Sequence, residues 1–164
     1  MLYRCPGVAA AIAAAIVLAA PLAASAERPN PGSNGGGASG SAVVVSLSLS
    51  KYASVHSTDA GSTVGVKPDV IHVHVGDSIV FVNDDTDHHT ATSLLGAATF
   101  VDDPRWTDQA LHATGEIGPD FWSTGDLAPG QRSAPMVAKQ AGTYLFGCFF
   151  DYGAGMRGEI VVQP

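Results

Sequence analysis

From residue 42 onward, short apolar runs alternate with clusters of turn residues, and none sustains the 3.6-residue period of an amphipathic helix. In "AVVVSLSLS" the second half alternates, so Val45, Leu47 and Leu49 share one face of a strand. "VIHVHV" does the same with Ile71, Val73 and Val75, and turns His72 and His74 outward. "GDSIVFVN" comes next through Gly76-Asp77, a turn signal between two apolar runs. "GTYLFGC" sets Tyr144, Phe146 and Cys148 on one face, and "GEIVVQ" closes the chain. Many short strands without an internal repeat predict an all-β fold, a sandwich or a barrel.

The stretch 99–121, "TFVDDPRWTDQALHATGEIGPDF", breaks this texture. Asp103-Pro104 could open a short helix through Leu111, because proline suits the first helical turn. Trp106 then reads as a packing residue that pins the segment to the sandwich.

The first 41 residues stand apart. Residues 1–26 carry Arg4 ahead of the apolar run Val8 to Ala20 and end on Ala24-Ser25-Ala26, the pattern of a cleaved secretory signal. A membrane anchor is the alternative, but the apolar run is shorter than the ~20 residues a spanning helix needs. Residues 27–41, "ERPNPGSNGGGASGS", have almost nothing to bury and read as a flexible leader to a domain over 42–164. Export implies a periplasmic or secreted protein.

Cleavage also removes Cys5 and leaves one cysteine, Cys148, so no disulfide can form within the mature chain. In an oxidising compartment an unpaired cysteine is buried, metal-bound or a liability. Loss of Arg4 leaves seven Lys and Arg against fifteen Asp and Glu, a net charge of −8. That balance disfavours nucleic acid and anionic membranes as partners and favours a basic protein.

Two segments carry chemistry. "FVNDDTDHHTATS" places His89-Thr90 six residues after Asn83. "GTYLFGCFFDYGAGMRGEIVV" places Met156 eight residues after Cys148, with Gly153-Ala154-Gly155 before the methionine. Together with "VGDSIVFVN" and "GDLAPGQ", they resemble the cupredoxins, the plastocyanin-like type 1 blue copper family, over roughly Pro68 to Val162. The resemblance implies a Greek-key β-sandwich and one copper ion held by His89, Cys148 and, axially, Met156. It also selects His89 over its neighbour His88, by register. The implied role is one-electron transfer with no bound substrate, so the chain reads as a carrier rather than an enzyme.

The chain departs from that pattern at Asp151, three residues after Cys148, where the family has its second histidine. The family's solvent-facing route for electrons is lost with it. Gly147 likewise stands where plastocyanins carry an aromatic residue. Asp151 has three readings: an oxygen ligand, a carboxylate that accepts backbone N–H bonds and stiffens its loop, or the mark of a vestigial site. A metal-free binding module is therefore one rival function, and a small copper enzyme with an open coordination position is another.

The remaining polar features read as surface. His72 and His74 are similar to the histidine pairs of multicopper oxidases, but Gly147 and Phe149 flank the cysteine where those enzymes have histidines. Asp84, Asp85, Asp87, Asp102 and Asp103 read as solvated loop charge. Beside a copper at His89, the first cluster would steer a basic redox partner such as a c-type cytochrome. His56 and His112 carry no signal.

Overall fold

A computed structural model describes residues 42–164, so the expected signal peptide and leader lie outside the described residues. Twelve strands succeed one another: β1 (Val43–Leu47), β2 (His56–Thr58), β3 (Gly61–Thr63), β4 (Val66–Lys67), β5 (Val70–His74), β6 (Ser78–Asn83), β7 (Thr92–Ser93), β8 (Ala113–Thr114), β9 (Ser123–Thr124), β10 (Met136–Val137), β11 (Gly142–Gly147) and β12 (Arg157–Gln163). They form a four-stranded sheet, β10-β6-β1-β4, and a six-stranded sheet, β5-β12-β11-β7-β9-β8, beside the β2–β3 hairpin. The fold is the expected all-β Greek-key sandwich. Two parallel pairs, β1 with β6 and β5 with β12, mark where the chain returns beside an earlier strand.

The alternation read from the sequence fills the space between the sheets. Val45, Leu47, Ile71, Val73, Phe81, Phe146 and Cys148 are buried in one core, with Leu49 and Tyr144 packed against it. His72 and His74 are exposed as expected, whereas Val75 is exposed instead of buried. β5 ends at His74, because the His74 N–H bonds the Asp77 carboxylate at 2.8 Å and the Asp77 N–H returns to the His74 carbonyl at 3.0 Å. That turn carries the chain across to the other sheet rather than into a hairpin.

Leu145 points away from this core, between the inward Tyr144 and Phe146. It joins Ala60, Leu94 and Tyr152 in a second cluster, against which Ala97, Phe100 and Trp106 pack. The 94–106 stretch therefore covers the outer face of the six-stranded sheet at β11. Trp106 donates its indole N–H to the Ser93 carbonyl at 2.9 Å and meets Tyr152 edge-on, with ring centroids 5.3 Å apart. It pins the 94–106 stretch to the sheet, as its sequence context predicts.

The helix expected from Asp103 is shorter than the pattern implied. Asp103 accepts the Arg105 N–H at 2.9 Å, and Arg105 takes φ +52°, a left-handed conformation that cannot continue into a helix. Only a four-residue 3-10 helix forms, Asp108–Leu111, capped by the Thr107 side chain.

Candidate metal centre

Two loops at one end of the sandwich build the site. The first leaves β6 at Asn83, which is fully buried and whose side chain donates to the carbonyls of Asp87 and Leu127, both at 2.7 Å. Its Oδ1 accepts the Asp85 N–H at 2.9 Å. One side chain thus folds residues 83–87 into a fixed turn, and paired backbone bonds between His89 and Leu127 hold the far end of the loop. The asparagine is the frame of the histidine loop.

The second loop extends the β11–β12 hairpin. Past the last strand pair, Gly147 with Arg157, the Cys148 N–H donates to the Met156 carbonyl at 2.9 Å. Cys148 and Met156 therefore face each other at the base of the loop. Inside it, the Asp151 carbonyl accepts the N–H groups of Ala154 and Met156, and Gly155 takes φ +90°, which favours glycine. The Asp151 side chain caps nothing. Backbone, not carboxylate, stiffens this loop, contrary to one reading of Asp151.

The loops bring three donor atoms together. Asp151 Oδ2 lies 3.0 Å from His89 Nδ1 and 3.3 Å from Cys148 Sγ, and Sγ lies 3.6 Å from Nδ1. His89 and Cys148 are buried, while the Asp151 side chain keeps 27% of its surface exposed. The Thr90 N–H points at the sulfur from 3.4 Å. Burial pushes the Cys148 thiol up to about 12, and the Asp151 charge adds to it, against backbone N–H groups that pull the other way. Met156 is buried in the core, and its carbonyl accepts the Cys148 N–H. Of the two adjacent histidines, His89 turns inward. His88 is exposed and pairs with Asp126 at 2.8 Å.

Asp85 does not belong with the solvated acids. Its side chain is 5% exposed and lies 3.3 Å from His89 Nε2, on the far side of the ring from Cys148. Burial raises its carboxyl, but hydrogen bonds from Ser50, Thr86 and His89 outweigh that and hold it well below the usual carboxylate range. In the sequence it is one of three similar aspartates, and nothing in their spacing separates it from Asp84 and Asp87.

Gly147, the other departure from the cupredoxin pattern, also has a physical reason. The Tyr152 ring occupies the space in front of it, so position 152 supplies an aromatic group where a side chain at 147 would lie. Arg157 stacks over that ring, 4.1 Å from its centroid.

No family model and no curated protein matches the chain. Among solved structures it is similar to a purple cupredoxin from Nitrosopumilus maritimus, with 17% identity over 74% of this chain and 99% of that one and a TM-score of 0.46. A reduced amicyanin variant shares 19% identity over 74% of this chain and 82% of its own, with a TM-score of 0.44. For an oxidised amicyanin variant the corresponding values are 19%, 74%, 82% and 0.44.

Proposed function

We propose that this is an exported copper-binding protein of the periplasm, transferring one electron through a modified type 1-like centre that His89, Cys148, Asp151 and Met156 would hold. The observation that carries the reading is the triangle of buried thiol, buried imidazole and half-buried carboxylate, with edges of 3.0, 3.3 and 3.6 Å. A trigonal ligand set with bonds of about 2.0–2.3 Å has edges of roughly 3.5–4.0 Å. Small movements of Asp151, the most exposed of the three groups, turn the hydrogen-bonded triangle into a ligand set.

The same three groups, with Asp85 behind the ring, also make a cysteine–histidine–aspartate constellation. A nucleophile needs an accessible thiolate. Here the thiol is 1% exposed, pushed up to about 12, and set beside a carboxylate that opposes its ionisation. A cation among the three donors reverses that balance, since thiolate and carboxylate then share a positive neighbour. Bound copper would supply one-electron redox chemistry. The chain's own residues hold the thiolate, exclude water from it and keep the loops in place.

Copper rather than a harder ion suits the sulfur and imidazole donors, the buried methionine and the cupredoxin-like ligand spacing. Exposed Asp84, Asp87 and Asp126 rim the histidine loop, and support a basic redox protein such as a c-type cytochrome as partner. Its association rate should fall with salt.

Copper titration of the mature protein, monitored by visible absorption, tests the reading. An intense thiolate-to-copper band is expected in wild type, absent in Cys148→Ala and weakened in His89→Ala. No copper binding would leave a metal-free binding module. Strong binding of azide or cyanide to the loaded protein would favour a small copper enzyme.

A further inference from the structure

We propose that Asp85 is the positioning residue for His89: its buried carboxylate accepts the Nε2–H, and thereby turns Nδ1 toward Cys148 and Asp151. Its consequence for copper rests on the proposed metal centre, whereas the positioning itself belongs to the metal-free protein.

The geometry is over-determined. Asp85 Oδ2 accepts the Ser50 N–H at 3.0 Å and lies 3.3 Å from His89 Nε2, while Oδ1 accepts the Thr86 N–H at 2.9 Å. The Asp85 N–H is fixed in turn by Asn83 Oδ1 at 2.9 Å. The carboxylate is thus held by the segment after β1 and by its own turn before it meets the ring. Both ring nitrogens of His89 face acids, Nε2 toward Asp85 and Nδ1 toward Asp151, but the two acids differ. Asp85 is anchored by backbone donors from two segments and is 5% exposed, whereas Asp151 is 27% exposed and caps nothing. Backbone donors hold the Asp85 carboxylate, whereas the Asp151 carboxylate is held only by His89 and Cys148.

A hydrogen bond from a ligating imidazole to a carboxylate fixes which nitrogen is available and makes that nitrogen a stronger donor, and loss of such a partner typically costs about 10–100-fold in metal affinity. Asn at position 85 keeps an acceptor oxygen but loses the charge. Ala removes both. The structure therefore sets an order of effects that a merely space-filling role for Asp85 would not produce.

The test uses the mature protein labelled with nitrogen-15, with Cu(II) as the metal probe. In metal-free wild type, long-range proton–nitrogen spectra should show a proton on His89 Nε2. That signal should shift in Asp85→Asn and disappear in Asp85→Ala. Cu(II) affinity should fall about 10–100-fold in Asp85→Ala, with Asp85→Asn in between. A wild-type His89 protonated at Nδ1 with Nε2 bare overturns the proposal, even if neither variant folds. So does an Asp85→Ala protein whose Nε2 signal matches wild type, or whose Cu(II) affinity matches that of a wild type that binds copper. Should wild type bind no copper while the Nε2 proton shifts in Asp85→Asn and is lost in Asp85→Ala, the metal-centre reading fails and the positioning role stands.

Discussion

Tyr152 fills the space that a side chain on Gly147 would need: a Cβ built there would lie 2.5 Å from Tyr152 Cδ2 and 3.1 Å from the Met156 carbonyl oxygen. The glycine and the tyrosine are one packing decision, and Tyr152 is locked besides by its hydroxyl bond to the Val101 carbonyl at 2.8 Å. Gly147→Ala should therefore destabilise the protein by about 1–3 kcal/mol, the usual range for overpacking a filled site. Chemical denaturation measures this. In the Gly147→Ala, Tyr152→Ala double variant the second change should recover part of the loss of packing at 147. Strictly additive costs would show that the two positions do not compete for space.

The strands and the ligand loops were legible because their signals are local. Alternation set the faces of β1, β5 and β11, and the eight-residue spacing of Cys148 and Met156 reflects two positions that face each other across the base of a hairpin loop. Burial by an insertion is not local. Nothing in "GTYLFGC" says that Leu145 will be covered by residues from 94–106, or that Tyr152 will stand in for an aromatic at 147. The burial of Asp85 escaped for the same reason, since the backbone that shelters it comes from Ser50, 35 positions earlier. Val75 and the helix expected from Asp103 failed at turns, where one aspartate side chain decides how the chain bends.

Cys148 gives a pH dependence with a definite sign. Its thiol is raised from 9.0 to about 12 by burial first, so between those values the unfolded chain has released a proton that the folded, metal-free protein keeps. Stability falls wherever the unfolded state binds fewer protons. The contribution is thus fully present below about 9 and lost as pH rises toward about 12. Tyr144 and Tyr152 are also raised by burial, from an ordinary value of 10.0, and so add a dependence of the same sign. Their effect cancels when wild type is compared with Cys148→Ser. The stability difference between the two proteins should change between about pH 9 and about pH 12, and a difference that stays flat there contradicts the assignment.

Asp69 works at the acid end. Burial pushes its carboxyl up, but its backbone hydrogen bonds, the Thr63 hydroxyl at 3.1 Å and His56 at 3.2 Å outweigh that and lower it from 3.8. With the folded value depressed, the stabilisation is present above about 3.8 and is lost as pH falls through the folded value. Asp69→Asn should lower the thermal midpoint at about pH 7, and the gap from wild type should close as the pH drops below about 3.8. A gap that persists in acid would assign the loss to packing rather than to the ionised carboxylate.

The last prediction turns on the charge at Asp151. With Cys148 as thiolate and Asp151 ionised, a centre holding Cu(II) has no net charge and one holding Cu(I) has a charge of −1. A site with two neutral imidazoles and one thiolate is more positive by one charge in each state. The carboxylate would therefore favour the oxidised form and lower the reduction potential, and its oxygen is a harder donor than an imidazole. Asp151 is partly exposed, so solvent screens part of this effect but leaves its sign. Asp151→His should raise the potential and move the visible and electron paramagnetic resonance spectra toward an ordinary blue site. Asp151→Ala should raise the potential without producing the blue spectrum, because it removes the charge and supplies no imidazole. Voltammetry and both spectra on wild type, Asp151→His and Asp151→Ala decide the matter. Identical potentials and spectra for wild type and Asp151→Ala would mean that the carboxylate is no ligand and that its 3.0 Å contact with His89 serves the metal-free protein alone.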